Sequence, residues 1–228
     1  MRKIAIVLLT LLSLTVTSAI PHASAGDSCK SLCLPVKIQR TMEVSNPEAS
    51  LSGMCSIIGD VGYFQIFGII SSIETRSFWM DTRILKERLG ITKIKVYINS
   101  PGGSGQDGLG LADLIVSVQK EGFEVEAYAT GRIASAAVPV LAACGKRVAN
   151  EGCIFMVHKA KLFKYPSQES AADLAAQSRM MEILKHRYLN ILETYTKHSA
   201  AEWQRAMEKT TWFTAKEALK WGLIDEIR

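Results

Sequence analysis

The chain has 228 residues, 48% of them hydrophobic and 21% charged, with a formal net charge of +5. That balance excludes a disordered or low-complexity chain and suits one domain with a sizeable core. Part of the charge belongs to the first 25 residues: without their two basic side chains, 25 Lys and Arg stand against 22 Asp and Glu, a net +3. No basic stripe with interleaved aromatics argues for a nucleic-acid partner.

Arg2 and Lys3 precede an acid-free apolar run over residues 4–16, and Ala23-Ser24-Ala25 then offers a small-residue cleavage site before Gly26. The pattern predicts an export signal over residues 1–25, the run being short for a spanning helix. The expected location is periplasmic or secreted, with membrane anchoring if the signal is not cleaved. In that oxidising compartment Cys29, Cys33, Cys55, Cys144 and Cys153 read as disulfide formers rather than zinc ligands, since no Cys-x-x-Cys pair occurs. An odd count leaves one free or paired between chains. Residues 26–55 lack periodicity and contain Pro35 and Pro47, which predicts an irregular arm held by cysteines ahead of a domain over residues 56–228.

Residues 63–70 read as a buried strand, and Ser71-Ser72 with Glu74 opens a helix that stops at Leu89-Gly90. A β-rich run over residues 94–98 ends at Asn99-Ser100-Pro101-Gly102-Gly103, where glycines free a backbone N–H to face a ligand. By itself that stretch is also ordinary turn chemistry. A helix over residues 107–120, with Leu111, Ile115 and Val118 on one side, leads to a strand over residues 125–129. Next comes a small-residue strand-to-helix turn, Gly131-Arg132-Ile133-Ala134-Ser135-Ala136-Ala137, whose helix ends at Cys144; Cys153 opens the strand that finishes Phe155-Met156-Val157-His158. This alternation predicts an α/β protein with a parallel sheet. The longest helix is predicted over residues 167–197, with Met181, Leu184, Tyr188, Ile191 and Tyr195 in a stripe that suits docking on its own domain or on a partner subunit. Ser199-x-x-Glu202 and Thr214-x-x-Glu217 are capping boxes for two short helices, the last ending at Gly222.

A Ser hydroxyl is a weak nucleophile until a neighbouring imidazole takes its proton. Ser135 and His158 sit where two such elements end, which points to a serine hydrolase. Singly, Ser135 equally suits a helix cap and His158 a core histidine. Cys144 and Cys153 stand at the two ends of the connection between these elements, and a bridge between them is expected.

Together these stretches resemble the proteolytic subunit of Clp protease (ClpP) and its relatives of the ClpP/crotonase fold. The resemblance covers residues 63–227 and rests on Asn-Ser-Pro-Gly-Gly, Gly-x-x-Ala-Ser, Met-x-His and the ending Phe213-Thr214-Ala215-Lys216-Glu217-Ala218 to Gly222-Leu223-Ile224-Asp225, in that order. It implies an α/β fold of repeated β-β-α and βαβ units with a long protruding handle helix. It further implies Ser135 as nucleophile, His158 as general base, and the backbone N–H groups of Gly103 and Ala136 as the oxyanion hole. The family's third member, an Asp, aligns with Thr210, which can accept a hydrogen bond from the ring but brings no charge. Glu208, two residues upstream, is the alternative carboxylate; without either the site is a Ser–His dyad. Lys159 and Lys185 keep a Ser–Lys mechanism as a second reading, although the Ser-Gly-Gly-Tyr pattern of such peptidases is absent.

The expected function is an exported serine endopeptidase acting on peptides or unfolded proteins. It would need no cofactor or metal, would assemble as a homo-oligomeric ring through the handle helix, and would lack a Clp ATPase partner because ATP is not expected outside the cytosol. The alternatives are a catalytically inactive scaffold or binding protein of the same fold, and a crotonase-type acyl-CoA enzyme. Against the latter, no Glu stands where Ser135 or His158 does, and an exported chain would not readily meet CoA.

Overall fold

A computed structural model describes residues 50–161 and 169–228. The expected export signal, the arm up to residue 49 with Cys29 and Cys33, and the expected start of the long helix at Ser167 lie outside the described residues.

The centre of the molecule is a run of parallel strands, β2 (Val61–Ile70), β3 (Lys93–Gly103) and β4 (Glu124–Ala134), joined by the crossover helices α1 (Ser72–Leu89) and α2 (Gly105–Lys120). Parallel neighbours require such crossovers, and the alternation of β3 shows the result: Ile94, Val96 and Ile98 are buried under the helices while Lys95 and Tyr97 turn to the other face. A short strand, β1 (Cys55–Ile58), lies antiparallel on β2. Cys55, expected at the end of an irregular arm, therefore opens a strand whose extended shape is imposed by its partner.

The feature that builds the site is a split in β4. Its residues Glu126 to Ala129 pair with β5 (Lys146–Ala149), whereas Arg132 to Ala134 pair with β6 (Ile154–Val157). Ala134 is in register with Met156, so the chain leaves β4 at Ser135 beside the point where it leaves β6 at His158. A helix of small residues, α3 (Ala137–Ala142), is buried behind Ser135.

The helix α4 (Ala171–Tyr195) starts at a Ser170–Asp173 capping box and ends at Thr196, whose extended backbone stops it short of the expected residue 197. Only Leu189 and Leu192 of α4 are fully buried; Leu174 and Ile183 are exposed, while Met180 accepts from Gln106 Nε2 of α2 at 3.4 Å. The predicted stripe of Met181, Leu184, Tyr188, Ile191 and Tyr195 is half-buried. Both later capping boxes form as expected, at the starts of α5 (Ala200–Glu208) and α6 (Ala215–Lys220). Between them β7 (Thr211–Thr214) pairs antiparallel with β6, and β8 (Glu226–Ile227) closes on β5. Fully buried Trp203 donates its indole N–H to Thr196 Oγ1 at 2.8 Å and packs its ring against Phe213 and Trp221, which joins α5, β7 and the end of α6 into one block. The Lys159 N–H donates to the Met207 carbonyl at 3.2 Å and hangs that block beside His158.

The bridge expected between Cys144 and Cys153 is not formed; both are free thiols, as is Cys55. The reason is local direction. Cys144 Sγ turns back to its own helix, 3.4 Å from the Val140 carbonyl, and Cys153 Sγ lies 3.9 Å from the carbonyl of Ile154 on its own strand. Burial pushes both thiols up to about 12. What ties the two elements is the β4–β6 ladder.

Candidate active site

Ser135 adopts φ 55°, a left-handed conformation that costs a non-glycine residue roughly 1–3 kcal/mol and persists only where the surroundings over-determine it. Here they do. Its N–H donates to the Met156 carbonyl at 2.9 Å, and its carbonyl accepts from the Val138 N–H at 3.0 Å and from the Tyr188 hydroxyl at 3.2 Å. The turn throws the side chain off the end of the sheet, and Ser135 Oγ lies 2.9 Å from His158 Nε2.

His158 is half-buried, and its pKa is held below the ordinary 6.5, first by burial and then by the nearby Lys161 cation, against a smaller opposing effect of the Lys159 backbone. Burial and Lys161 both favour the neutral imidazole, the form that can accept the Ser135 proton.

The Asn99–Gly103 stretch, predicted as a turn, is instead the end of β3: Gly102 and Gly103 are in register with Ile69 and Ile70 of β2 beyond a bulge. Fully buried Ser100 clamps that bulge, its hydroxyl donating to the Gly68 carbonyl at 2.6 Å and accepting from the Gly102 N–H at 3.0 Å. Gly102 has φ 93° and no room for a side chain, since a Cβ would sit 2.6 Å from Ala134 O and 2.7 Å from Ser135 Cβ. The glycine turn and the serine turn thus press against each other, and the Ala136 nitrogen is 2.9 Å from where that Cβ would be. Gly102→Ala is accordingly expected to push Ser135 off its position and to cost at least about a hundredfold in any Ser135 chemistry, read as the rate of fluorophosphonate labelling.

The third position is unlike the first two. Thr210 is exposed, at φ 54° in the turn after α5, with its N–H donated to the Met207 carbonyl at 3.2 Å. Glu208 is the last residue of α5, and its carboxylate accepts from Gln204 Nε2 at 3.3 Å. Among the described residues no hydrogen bond joins a carboxylate to His158. Of the predicted residues, the fold brings Ser135, His158 and Ala136 together beside the glycine turn, where Gly103 pairs with Ile70; Glu208 shares their cavity wall, and Thr210 directly precedes β7, the strand paired with β6.

A cavity of about 270 Å³ opens in front of the pair, with Glu208, Lys159 and Lys185 in its wall and an apolar lining that includes Leu109, Leu184 and Met207. It falls just short of the ~300 Å³ at which ligand sites usually begin. Lys185 pairs with Glu182 at 2.5 Å. Among the described residues no group of three or more His, Cys, Asp or Glu gathers in a way that could hold a metal ion. Sequence reasoning missed Tyr188 as a partner of Ser135 and Lys161 as a charge on His158. Tyr188 figured only as one ring of a stripe, because a contact across 53 residues leaves no local mark.

The family model described as Clp protease matches residues 72–228. Among similar curated proteins, the ATP-dependent Clp protease proteolytic subunit 2 of Mycolicibacterium paratuberculosis is 33% identical over 139 residues, covering 59% of this chain and 65% of that protein. The ATP-dependent Clp protease proteolytic subunit 1 of Mycobacterium leprae is 32% identical over 139 residues, with the same two shares. The corresponding subunit of Porphyromonas gingivalis is 32% identical over 136 residues, 59% of each chain. The chain thus spans just under two thirds of the length of the curated relatives it matches.

Proposed function

Because the chain belongs to the Clp protease family, we propose that it is a serine endopeptidase whose nucleophile is Ser135 and whose general base is His158. The observation that carries this reading is the 2.9 Å contact between Ser135 Oγ and His158 Nε2 at the mouth of a cavity. Ser135 Oγ attacks the scissile carbonyl carbon while its proton passes to His158 Nε2, and the imidazolium then returns that proton to the leaving amine. The acyl-enzyme is cleaved by water along the same route in reverse. The N–H groups of Gly103 and Ala136 receive the oxyanion, a role that needs a side-chain-free approach on the glycine side.

With no carboxylate bound to His158 among the described residues, the site works as a dyad, and the imidazolium forms without a charge partner. Substrates are short or unfolded peptides, and the α4 handle mediates assembly into a homo-oligomeric ring. The relatives are named for ATP dependence; residues 1–25 of this chain read as an export signal, and we propose on that reading that it works outside the cytosol without a Clp ATPase. A fluorophosphonate probe followed by peptide mapping tests the core of the proposal. Modification of Ser135 is the expected result, and a probe that leaves the protein untouched would favour the inactive scaffold.

Thr210→Asp tests the dyad. An anion at the position where the family carries its Asp should raise turnover at least about tenfold, a fraction of the ~10⁴ that an Asp supplies in another protease. It should also move the acid limb of the pH profile upward, since an anion favours the imidazolium. If Thr210→Asp is silent and Glu208→Gln costs about a hundredfold, Glu208 is the third member.

A further inference from the structure

The peptide unit between Ser135 and Ala136 carries two functions at once. Its carbonyl belongs to the strained serine turn, and its N–H is the donor assigned above to the oxyanion. A trans peptide is planar, with C=O and N–H pointing in opposite directions, so whatever holds the carbonyl aims the N–H. The peptide bonds of the chain are trans throughout the described residues. The Val138 N–H holds that carbonyl from within α3's own first turn, at 3.0 Å. The second donor comes from elsewhere: the hydroxyl of Tyr188, on α4, at 3.2 Å.

We propose that Tyr188 is a positioning residue for the reaction: its hydroxyl grips the Ser135 carbonyl and thereby directs the Ala136 N–H at the oxyanion. Tyr188 is half-buried in the wall of the cavity that Ser135 and His158 share. Burial keeps its phenol protonated, so it donates across the working pH range. Its partner is a backbone carbonyl rather than an ionisable group, which separates its effect from that of His158. The consequence is selective. An oxyanion donor acts where charge develops, so a misaimed Ala136 N–H weakens the transition state and leaves ground-state binding alone. The inference also gives the long helix a chemical role, since α4 reaches the nucleophile through this hydroxyl.

The proposal rests on the peptidase reading, and its test separates the two. Tyr188→Phe keeps the ring and removes only the donor. Loss of a whole oxyanion donor costs ~10²–10³ in turnover, and misaiming one should cost about tenfold. The expected result is kcat about tenfold lower, KM within about twofold, an unmoved pH midpoint, and a matching loss of affinity for a peptide boronate. Tyr188→Phe at wild-type kcat, or with a shifted pH midpoint, would overturn the proposal. Hydrogen exchange of the Ala136 amide gives a readout that needs no activity. Faster exchange in Tyr188→Phe supports the grip whether or not the protein cleaves peptides, and unchanged exchange refutes it. Failure of the wild type to react with a fluorophosphonate would instead sink the peptidase reading.

Discussion

Ser135→Ala is expected to abolish peptide hydrolysis, lowering kcat/KM by at least about 10³-fold, while the melting temperature and oligomeric state stay as they are. The size follows from the role: when the attacking atom is gone, only the residual catalysis of binding and oxyanion donors remains, and nucleophile and base act as one unit. The silence in stability follows from the structure. The hydroxyl of Ser135 has His158 as its side-chain partner, and Ala in the same left-handed turn carries the same Cβ and so adds no new backbone strain. The turn itself is held by backbone groups and by Tyr188, all of which survive the change. Peptidase assays and a thermal melt on the same preparation check both halves. Wild-type-like turnover would remove Ser135 from the reaction and leave Lys159 and Lys185 without the nucleophile that a Ser–Lys mechanism needs.

His158→Ala should be as damaging as Ser135→Ala, and the double variant no worse than either. In the intact protein, activity should rise with pH as the ring loses its proton, because only the neutral imidazole can accept the Ser135 hydrogen. Burial and Lys161 hold the folded-state pKa below 6.5, so that rise is centred on the acid side of the ordinary histidine value. Burial is the larger cause and Lys161 the second, which makes a charge test available. Lys161→Ala removes a cation that disfavours the imidazolium, so the midpoint should move up. Thr210→Asp should move it the same way for the opposite reason, by adding an anion. A pH profile that ignores both changes would mean that the titrating group is not His158, and a Lys159→Ala variant as inactive as Ser135→Ala would transfer the base role to that lysine.

What a sequence shows of a structure depends on the range of the interactions involved. Capping boxes at Ser71, Ser199 and Thr214 were plain because an N-cap is satisfied by residues two or three positions away. The strands β1, β5 and β8 were not, because four residues or fewer have no period of their own and are extended only by the ladder beside them. The glycine stretch read as a turn and proved to be paired strand, since its partners Ile69 and Ile70 lie a whole helix earlier in the chain. The cysteines failed for a related reason. Their placement at the ends of one connection was visible, but the direction of each Cβ, which decides whether two sulfurs can meet, was not.

By itself the sequence determined which groups are on offer: a serine on a small-residue turn, a histidine after an apolar strand and glycines for an unobstructed N–H, with a threonine, on the family resemblance, where an Asp is expected. Only the tertiary structure decided how these are held. The split of β4 between β5 and β6 sets Ser135 beside His158, the Gly102 turn packs against Ala136, and a tyrosine from α4 reaches back across 53 residues to the serine carbonyl. Residue identity fixes what a side chain can donate, accept or titrate, whereas its partner is chosen by strand order and helix docking, which depend on the burial of the whole core.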